Sequence, residues 1–226
     1  MDNTTLIAIL FMLLLGVVLY RLQRLCLQAS RADWGSGLMN RIDGLNRLFC
    51  CYYHRLPPVE LEIPPEGPAV VVANHISGLD PLLMAAASRR SLHFMIAREQ
   101  YERFGLKWLF RMAGCIPVDR ERAPEKALRA AFRALREGHV VALFPHGTMH
   151  LDTEPPRRVK PGAARLAMMT GAPLVAMRIS GVQKPGNVFL PVLLRAEARI
   201  ESRGVVRHEG LDRQAFLAVI QRAIEP

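Results

Sequence analysis

One short segment of the chain combines a potential base with a potential partner for it. Residues 74–80 read Asn-His-Ile-Ser-Gly-Leu-Asp, which gives His75 and Asp80 an H-x4-D spacing. An imidazole near its ordinary pKa can accept a proton at neutral pH, and a carboxylate on its other ring nitrogen fixes the tautomer and stabilises the imidazolium. The pair therefore predicts general-base activation of a hydroxyl. On spacing alone a simpler interpretation stays open, in which Asp80 only caps a helix and His75 is a loop residue.

A second group of polar side chains invites a metal-binding interpretation. His146, His150 and Asp152 fall within seven residues (HGTMHLD). Gly147 between the histidines indicates a turn, so the i, i+4 geometry of helical metal sites does not apply. We predict no metal here, and expect the two histidines to be polar loop residues at the mouth of a cleft.

The H-x4-D segment lies between a predicted strand and a predicted helix. Residues 69–73 (AVVVA) form a short continuous apolar run, which is typical of a strand covered on both faces. Ligands gather where such strands end and loops begin. Further strands are predicted at 92–97, 116–118, 140–144, 174–179 and 188–200, and helices at 81–88, 108–113, 124–137, 162–170 and 211–224. This alternation predicts an α/β fold with a mixed, mostly parallel sheet flanked by helices.

The amino terminus carries an uncharged apolar segment. Leu6–Tyr20 contains fifteen residues without charge, which as a helix reach about 22 Å against a hydrocarbon layer of roughly 30 Å. Spanning and interfacial embedding both stay open. Asp2 and the lack of an A-x-A-like site disfavour a cleaved signal peptide. If the helix spans, Arg21, Arg24 and Arg31 should keep the following domain on the cytoplasmic side of the inner membrane.

A second, amphipathic helix is predicted at Leu38–Tyr53, with Leu38, Ile42, Leu45, Leu48 and Phe49 on one side. It either packs on the core or lies in the membrane interface. Prolines at 57, 58, 64 and 65 then indicate a linker. We therefore divide the chain into a two-helix membrane-associating segment, residues 1–56, and a catalytic domain, residues 57–226.

The charge of the chain limits its partners. With 30 Lys and Arg against 20 Asp and Glu, the formal net charge is +10, which favours an anionic membrane or nucleic acid. Nucleic acid is disfavoured because the few aromatic residues are not interleaved with the basic ones. The apolar amino terminus makes a lipid bilayer the expected partner. Four cysteines without C-x-x-C spacing are typical of reduced thiols in a cytoplasmic domain.

Four sequence blocks in order resemble the glycerolipid acyltransferase family. They are NHISGLDP (residues 74–81), GCIPVDR (114–120), FPHGT (144–148) and APLVA (172–176), with KPGA (160–163) similar to the family's K-x-G-A segment. The resemblance covers residues 67 to 181. It implies that the histidine of the first block is the general base, the aspartate its partner, and the arginine of the second block a ligand for the acceptor's phosphate.

The third block departs from the family pattern F-P-E-G-T-R-S. His146 replaces the glutamate, Met149 the arginine and His150 the serine. Phosphate recognition by this loop is therefore in question, although Arg157, Arg158 or Lys160 could supply the positive charge. Beside the catalytic pair His75 and Asp80, the expected substrate-binding residues are Asn74, Arg120, His146, Gly147, Thr148 and Lys160.

The resemblance implies transfer of a fatty acyl group to the hydroxyl of a lysolipid, with 1-acyl-glycerol-3-phosphate the first expectation. Acyl-CoA or an acylated carrier protein would be the co-substrate, and no cofactor is expected. Two alternatives stay open: another lysolipid acceptor such as a lyso-ornithine lipid, and a family member that binds lipid without catalysis. The enzyme interpretation requires His75 to contact Asp80 and to face an open apolar cleft.

Overall fold

The computed structural model describes residues 2–120 and 122–225, and within them six strands form a single sheet. The strands are β1 (Ala69–Ala73), β2 (Leu92–Ala97), β3 (Ile116–Val118), β4 (Val140–Leu143), β5 (Leu174–Ser180) and β6 (Arg199–Val206). Their order across the sheet is β3-β2-β4-β1-β5-β6. The first five strands run parallel and β6 pairs antiparallel with β5. The predicted α/β class is therefore confirmed.

The central strands are apolar because both of their faces are covered. Every residue of β1 is buried, and successive side chains point to opposite sides of the sheet. Val71 packs into one core, while Val70 and Val72 pack into the other. The continuous apolar run at 69–73 is the expected sequence of such a doubly covered strand.

Helices cover the sheet on both sides. The helices of the domain are α3 (Asp80–Ala87), α4 (Arg98–Tyr101), α5 (Lys107–Met112), α6 (Pro124–Arg136), α7 (Gly162–Thr170), α8 (Leu190–Leu193) and α9 (Arg213–Ile224). The core on one face, called here the α3 face, includes α3 and receives side chains from the neighbourhood of α5 and α8. The core on the other face is built by α6, α7 and α9.

Two helices precede the sheet. Helix α1 (Asn3–Ala29) is 27 residues long, and by length and composition it is able to cross a membrane. Its most apolar stretch is not buried against the rest of the chain. Helix α2 (Gly37–Leu48) continues into a π-helical turn (Phe49–Tyr53) and contacts both α1 and α3. The division of the chain at residue 56 stays a prediction.

Only part of the predicted apolar side of helix α2 and its π-helical turn packs inward, where Phe49 contacts the core. Leu38 and Leu45 are exposed, whereas Met39, Asp43 and Arg47 are buried. Arg47 Nε donates to Asp43 Oδ2 over 2.8 Å, and its Nη atoms donate to the carbonyls of Ala85, Ala86 and Ser88 at the end of α3. A cation at a helix carboxyl terminus is favourable, and breaking such a buried pair typically costs about 3 to 5 kcal/mol. The pair therefore fixes α2 to the end of α3.

One predicted strand is largely wrong. Residues 188–200 were expected to be extended, but the strand begins at Arg199, and α8 lies in the preceding segment. Pro191 lacks the N–H that a ladder needs, and Val188, Phe189 and Leu193 are exposed. An apolar run here indicates surface contact and not a buried strand.

Candidate active site

The histidine and the aspartate of the H-x4-D segment are in direct contact. His75 follows the carboxyl end of β1 by two residues, and Asp80 is the first residue of α3. His75 Nδ1 lies 2.8 Å from Asp80 Oδ2. The side chain of His75 is 18% exposed, whereas that of Asp80 is completely buried. The carboxylate thus holds one ring nitrogen from inside the protein, and Nε2 is the nitrogen left for a substrate.

Asp80 is oriented by its own loop. Its Oδ2 also accepts hydrogen bonds from the backbone N–H groups of Ile76 at 2.6 Å and Ser77 at 2.8 Å. Its Oδ1 accepts from the Ser77 hydroxyl at 2.6 Å. These bonds satisfy a buried carboxylate and lock its direction. The simpler interpretation, in which Asp80 only caps a helix, is wrong, because Leu79 occupies the N-cap position and Asp80 turns back onto residues 75–77.

The loop is clamped to its neighbours. Asn74 Nδ2 donates to the carbonyl of Ile179 at 2.9 Å, and Asn74 Oδ1 accepts from the Ile179 N–H at 2.7 Å. The ring of Phe144 stacks on that of His75, with centroids 4.0 Å apart. Asn74 therefore has its side-chain amide engaged with β5, and its predicted role in substrate binding stays a prediction. Phe144 was not singled out as a site residue from the sequence; its position directly after a central strand was the available signal.

A glycine allows a second segment to approach the catalytic loop. The N–H of Gly78 donates to the carbonyl of Asn187 at 3.1 Å, and the N–H of Gly186 donates to the carbonyl of Ile76 at 2.7 Å. A Cβ on Gly78 would lie 2.0 Å from the carbonyl oxygen of Val188. Any larger residue would push the segment away. Residues 186–188 are therefore a fixed wall of the loop that carries His75.

The FPHGT block forms a turn beside this loop, because β4 lies next to β1 in the sheet. The Gly147 N–H donates to the carbonyl of Phe144 at 2.9 Å, and Gly147 has a φ of 78°, which favours glycine. His146 is buried, with Nε2 3.1 Å from the carbonyl of Arg157. Burial, followed by the charge of His150, lowers the pKa of His146. A neutral His146 therefore stands where the family pattern has an acidic side chain.

Two cations lie at this turn. Arg157 Nη1 donates to Thr148 Oγ1 at 2.7 Å. The Lys160 N–H donates to the carbonyl of Pro145 at 2.9 Å, and a Cβ on Gly147 would meet Lys160 Nζ at 2.9 Å. Met149 takes the place of the arginine in the family pattern. Positive charge is thus brought back to the turn from residues 157 and 160.

Known proteins are similar to this chain in sequence and in fold. Residues 59–180 match the family described as Acyltransferase, which is more than half of the chain. The chain belongs to the acyltransferase family. The crystal structure of the 1-acyl-sn-glycerophosphate (LPA) acyltransferase, PlsC, from Thermotoga maritima has a similar fold, with a TM-score of 0.63 and 21% identity. That similarity covers 92% of this chain and 86% of the other.

Three proteins of known or assigned name are similar in sequence to part of this chain. It is 25% identical over 128 residues to the 1-acyl-sn-glycerol-3-phosphate acyltransferase of Bacillus subtilis, covering 56% of this chain and 63% of that protein. It is 31% identical over 126 residues to a probable enzyme of the same name from Mycoplasma genitalium, covering 53% and 47%. An N-acylphosphatidylethanolamine synthase of Arabidopsis thaliana is 30% identical over 113 residues, covering 46% and 40%. The alignments thus span less than two thirds of each relative.

Arg120 is exposed and lies away from His75 and Asp80. It follows β3, which is three strands from β1, or about 14 Å at the usual strand spacing. Because these strands are parallel, their carboxyl ends share one edge of the sheet. Arg120 and His75 are therefore on the same edge without contact, and the binding roles of Arg120, His146, Gly147, Thr148 and Lys160 stay predictions.

The histidines of the FPHGT region have partners other than a metal. His150 Nδ1 lies 2.8 Å from Glu154 Oε2, and Asp152 accepts a hydrogen bond from Arg178 at 2.6 Å. Among residues 2–120 and 122–225, no group of three or more His, Cys, Asp or Glu side chains is placed to hold a metal ion.

One cavity opens near the carboxyl end of β5 but is not lined by His75. It has a volume of about 330 Å³ and is bounded by Ser180, Gly181, Gln183, Glu197 and Arg199. Its polar and charged lining does not suit a fatty chain. The apolar slot beside His75 that acyl transfer requires stays a prediction.

Proposed function

We propose that the chain is a membrane-associated O-acyltransferase that transfers a fatty acyl group from acyl-CoA or acyl carrier protein to the hydroxyl of a lysolipid, with 1-acyl-glycerol-3-phosphate as the first candidate. The observation that carries the proposal is the 2.8 Å contact between His75 Nδ1 and the buried Asp80 carboxylate. A histidine held in this way at the open edge of the sheet is suited to take a proton from a hydroxyl.

The proposed reaction needs no acyl-enzyme. His75 Nε2 removes the proton of the acceptor hydroxyl while that oxygen attacks the thioester carbonyl. The tetrahedral intermediate collapses with cleavage of the C–S bond, and the imidazolium returns the proton to the leaving thiolate. General-base assistance contributes about 10² to 10⁴ in rate. Backbone N–H groups of the second or third block would stabilise the oxyanion, at about 3 to 4 kcal/mol for each donor.

An anionic acceptor is supported by the cations at the FPHGT turn. Arg157 is hydrogen-bonded to Thr148, and Lys160 lies against Gly147. A guanidinium can bind phosphate through two parallel hydrogen bonds. The names of the aligned bacterial relatives, 1-acyl-sn-glycerol-3-phosphate acyltransferases, point to the same acceptor.

A second acceptor class is favoured by the altered third block. With Met149 and a buried, neutral His146 in place of an arginine and a glutamate, another lysolipid such as a lyso-ornithine lipid is the alternative. Parallel assays with lysophosphatidic acid and with lysolipids that lack the phosphate distinguish the two.

Membrane association is supported by α1, which is long and apolar enough to span. The basic residues that follow its apolar part, Arg21 and Arg24, favour a catalytic domain on the cytoplasmic side. The lysolipid and the product would then both stay in the leaflet on which the domain works.

The decisive experiment compares purified wild-type protein with His75→Ala, using an acyl thioester and lysophosphatidic acid. We expect the variant to lose about 10² to 10⁴ in kcat. Its melting temperature should fall moderately, because the ring stacks on Phe144 and contacts the buried Asp80, so circular dichroism is needed to show that the variant is folded. His208→Ala, at the opposite edge of the sheet, is the control and should keep full activity. Unchanged turnover in His75→Ala would end the proposal, and lysolipid binding without transfer in the wild type would favour a non-catalytic lipid-binding protein.

A further inference from the structure

Large apolar side chains are exposed in two segments close to the catalytic loop. One segment precedes and includes α5, and the other includes α8. Phe104 is fully exposed, and Trp108 and Phe189 are about half exposed. We call the following set the apolar rim: Phe104, Leu106, Trp108, Phe189, Leu190 and Leu193. Exposed aromatic and aliphatic groups gathered in this way mark an interaction surface.

The two segments of the apolar rim touch each other and reach the site. The Arg103 guanidinium lies 4.4 Å above the ring of Phe189. The α8 segment begins at residues 186–188, which form the fixed wall of the His75 loop through Gly78 and Ile76. Backbone hydrogen bonds therefore hold the α8 segment of the rim in a fixed position beside the His75 loop.

The apolar rim also joins the amino-terminal helices. The hydroxyl of Tyr53, in the π-helical turn after α2, donates to the carbonyl of Leu193 at 2.7 Å. Residues around α5 and α8 pack into the same core as α3 and the π-helical turn. The apolar rim and α1, the helix long enough to span a membrane, thus lie on the same side of the sheet. Helix α2 and the π-helical turn connect them.

The charges around the apolar rim match an anionic lipid surface. Residues 102–112 and 188–195 contain four cations and one acid. The acid, Glu102, is paired with Lys107 at 2.5 Å, which leaves Arg103, Arg111 and Arg195 in excess. Apolar side chains mixed with arginine and lysine are the composition of surfaces that enter the head-group region, where each cation near an acidic leaflet adds about 1 kcal/mol.

We propose that the apolar rim is a second membrane contact, which enters one leaflet and holds the His75 loop against the lipid from which the acceptor comes. The occupant is a bilayer and not another protein, because the rim is continuous with α1 through α2 and carries excess positive charge. The inference rests on the proposed function only in placing a lipid acceptor at His75. Helix α1 then tethers the chain, and the rim sets the height and orientation of the site.

Tryptophan fluorescence tests this contact directly. The chain has two tryptophans, and Trp34→Phe leaves Trp108 as the only one. With vesicles of phosphatidylcholine and phosphatidylglycerol carrying bromines on the acyl chains, we expect quenching of Trp108, more strongly by bromines close to the head group than by deep ones. Comparing wild type with Trp108→Phe gives the same information if the Trp34 variant does not fold. Unquenched Trp108 in protein that floats with the vesicles would overturn the proposal.

A charge substitution in the rim tests its contribution to substrate capture. Phe104→Asp should raise the apparent KM for vesicle-borne lysolipid by about tenfold or more, since the ring would no longer be removed from water. The kcat with a short-chain acceptor dissolved as monomers should not change. Met169→Asp is the matched control, because Met169 is also an exposed apolar residue but lies on α7, on the opposite face of the sheet.

The outcomes separate the two proposals. Equal KM values for Phe104→Asp, Met169→Asp and wild type on vesicles would overturn the membrane role of the rim while leaving acyl transfer in place. Quenching of Trp108 in a protein that transfers no acyl group would keep the membrane contact and reject the enzymatic function.

Discussion

His75 lies at the carboxyl ends of the parallel strands and His93 lies near their amino ends, and the two rings have different surroundings. His75 follows the carboxyl end of β1 and is backed by Asp80. His93 is the second residue of β2, near its amino end, and stacks on His139 with ring centroids 4.4 Å apart. A Cβ on Gly114 would lie 2.7 Å from the His93 ring. Burial first, and the charge of His139 second, lower the pKa of His93 to about 4.

The comparison distinguishes two environments of histidine in this protein. His93 is partly buried, and burial together with His139 outweighs Glu137 and keeps its ring neutral. His75 has a carboxylate fixed behind it by the loop residues Ile76 and Ser77, and its ring is partly open to solvent. A histidine at a strand end is suited to act as a base where a buried acceptor orients one nitrogen and leaves the other accessible.

The largest expected effect comes from removing the charge behind His75. Asp80→Asn keeps the size of the side chain and can keep the bonds from the Ile76 and Ser77 N–H groups, but it no longer stabilises an imidazolium. We expect kcat to fall by about 10² to 10⁴. Loss of charge-assisted hydrogen bonds should also lower the free energy of unfolding by about 1.5 to 3 kcal/mol. Steady-state kinetics and urea denaturation measure both, and wild-type kcat in this variant would refute the role of the carboxylate.

A smaller effect on activity is expected from removing a cation beside the FPHGT turn. Arg157→Ala removes the guanidinium that is bonded to Thr148. If it binds the acceptor's phosphate, KM for lysophosphatidic acid should rise about tenfold or more, with little change in kcat. KM for a lysolipid without phosphate should stay the same.

Arg158→Ala is the matched control, since it removes the same charge from the neighbouring position. An equal rise in KM for both variants would mean that overall charge, and not the position of Arg157, attracts the acceptor.

The sequence predicted the parts of the molecule that depend on local pattern. The apolar run at 69–73 is β1 with the same bounds, and the helix predicted at 162–170 is α7. The spacing H-x4-D left a helix cap open for Asp80, and the resemblance to the acyltransferase family led us to expect its contact with His75. Local pattern therefore predicted the strand and the helix, and the resemblance predicted the contact.

The features that were missed depend on distant contacts. Asp43 and Arg47 have the i, i+4 spacing that usually indicates an exposed ion pair, yet they are buried because Arg47 reaches the end of α3. Residues 188–198 look like a buried strand, but they wrap the catalytic loop at Gly78 and expose Phe189. A short window of sequence shows neither contact, because Arg47 and the end of α3 are about 40 residues apart and Gly78 and Asn187 are more than 100 residues apart.

The smallest effect on activity is expected from replacing His93, the neutral histidine near the amino ends of the strands. The pKa of His93 is lowered to about 4 from 6.5, so between these values the unfolded chain binds more protons at this position than the folded one. Stability from the neutral ring is complete above the unfolded pKa and is lost as the pH falls towards 4. His93→Gln should therefore reduce the loss of melting temperature between pH about 7.5 and pH about 5. His139→Gln should reduce it less, because burial is the larger cause of the shift, and both variants should keep wild-type kcat at neutral pH. A loss of kcat in His93→Gln with an unaltered acid sensitivity would mean that the two edges of the sheet are not separate in function.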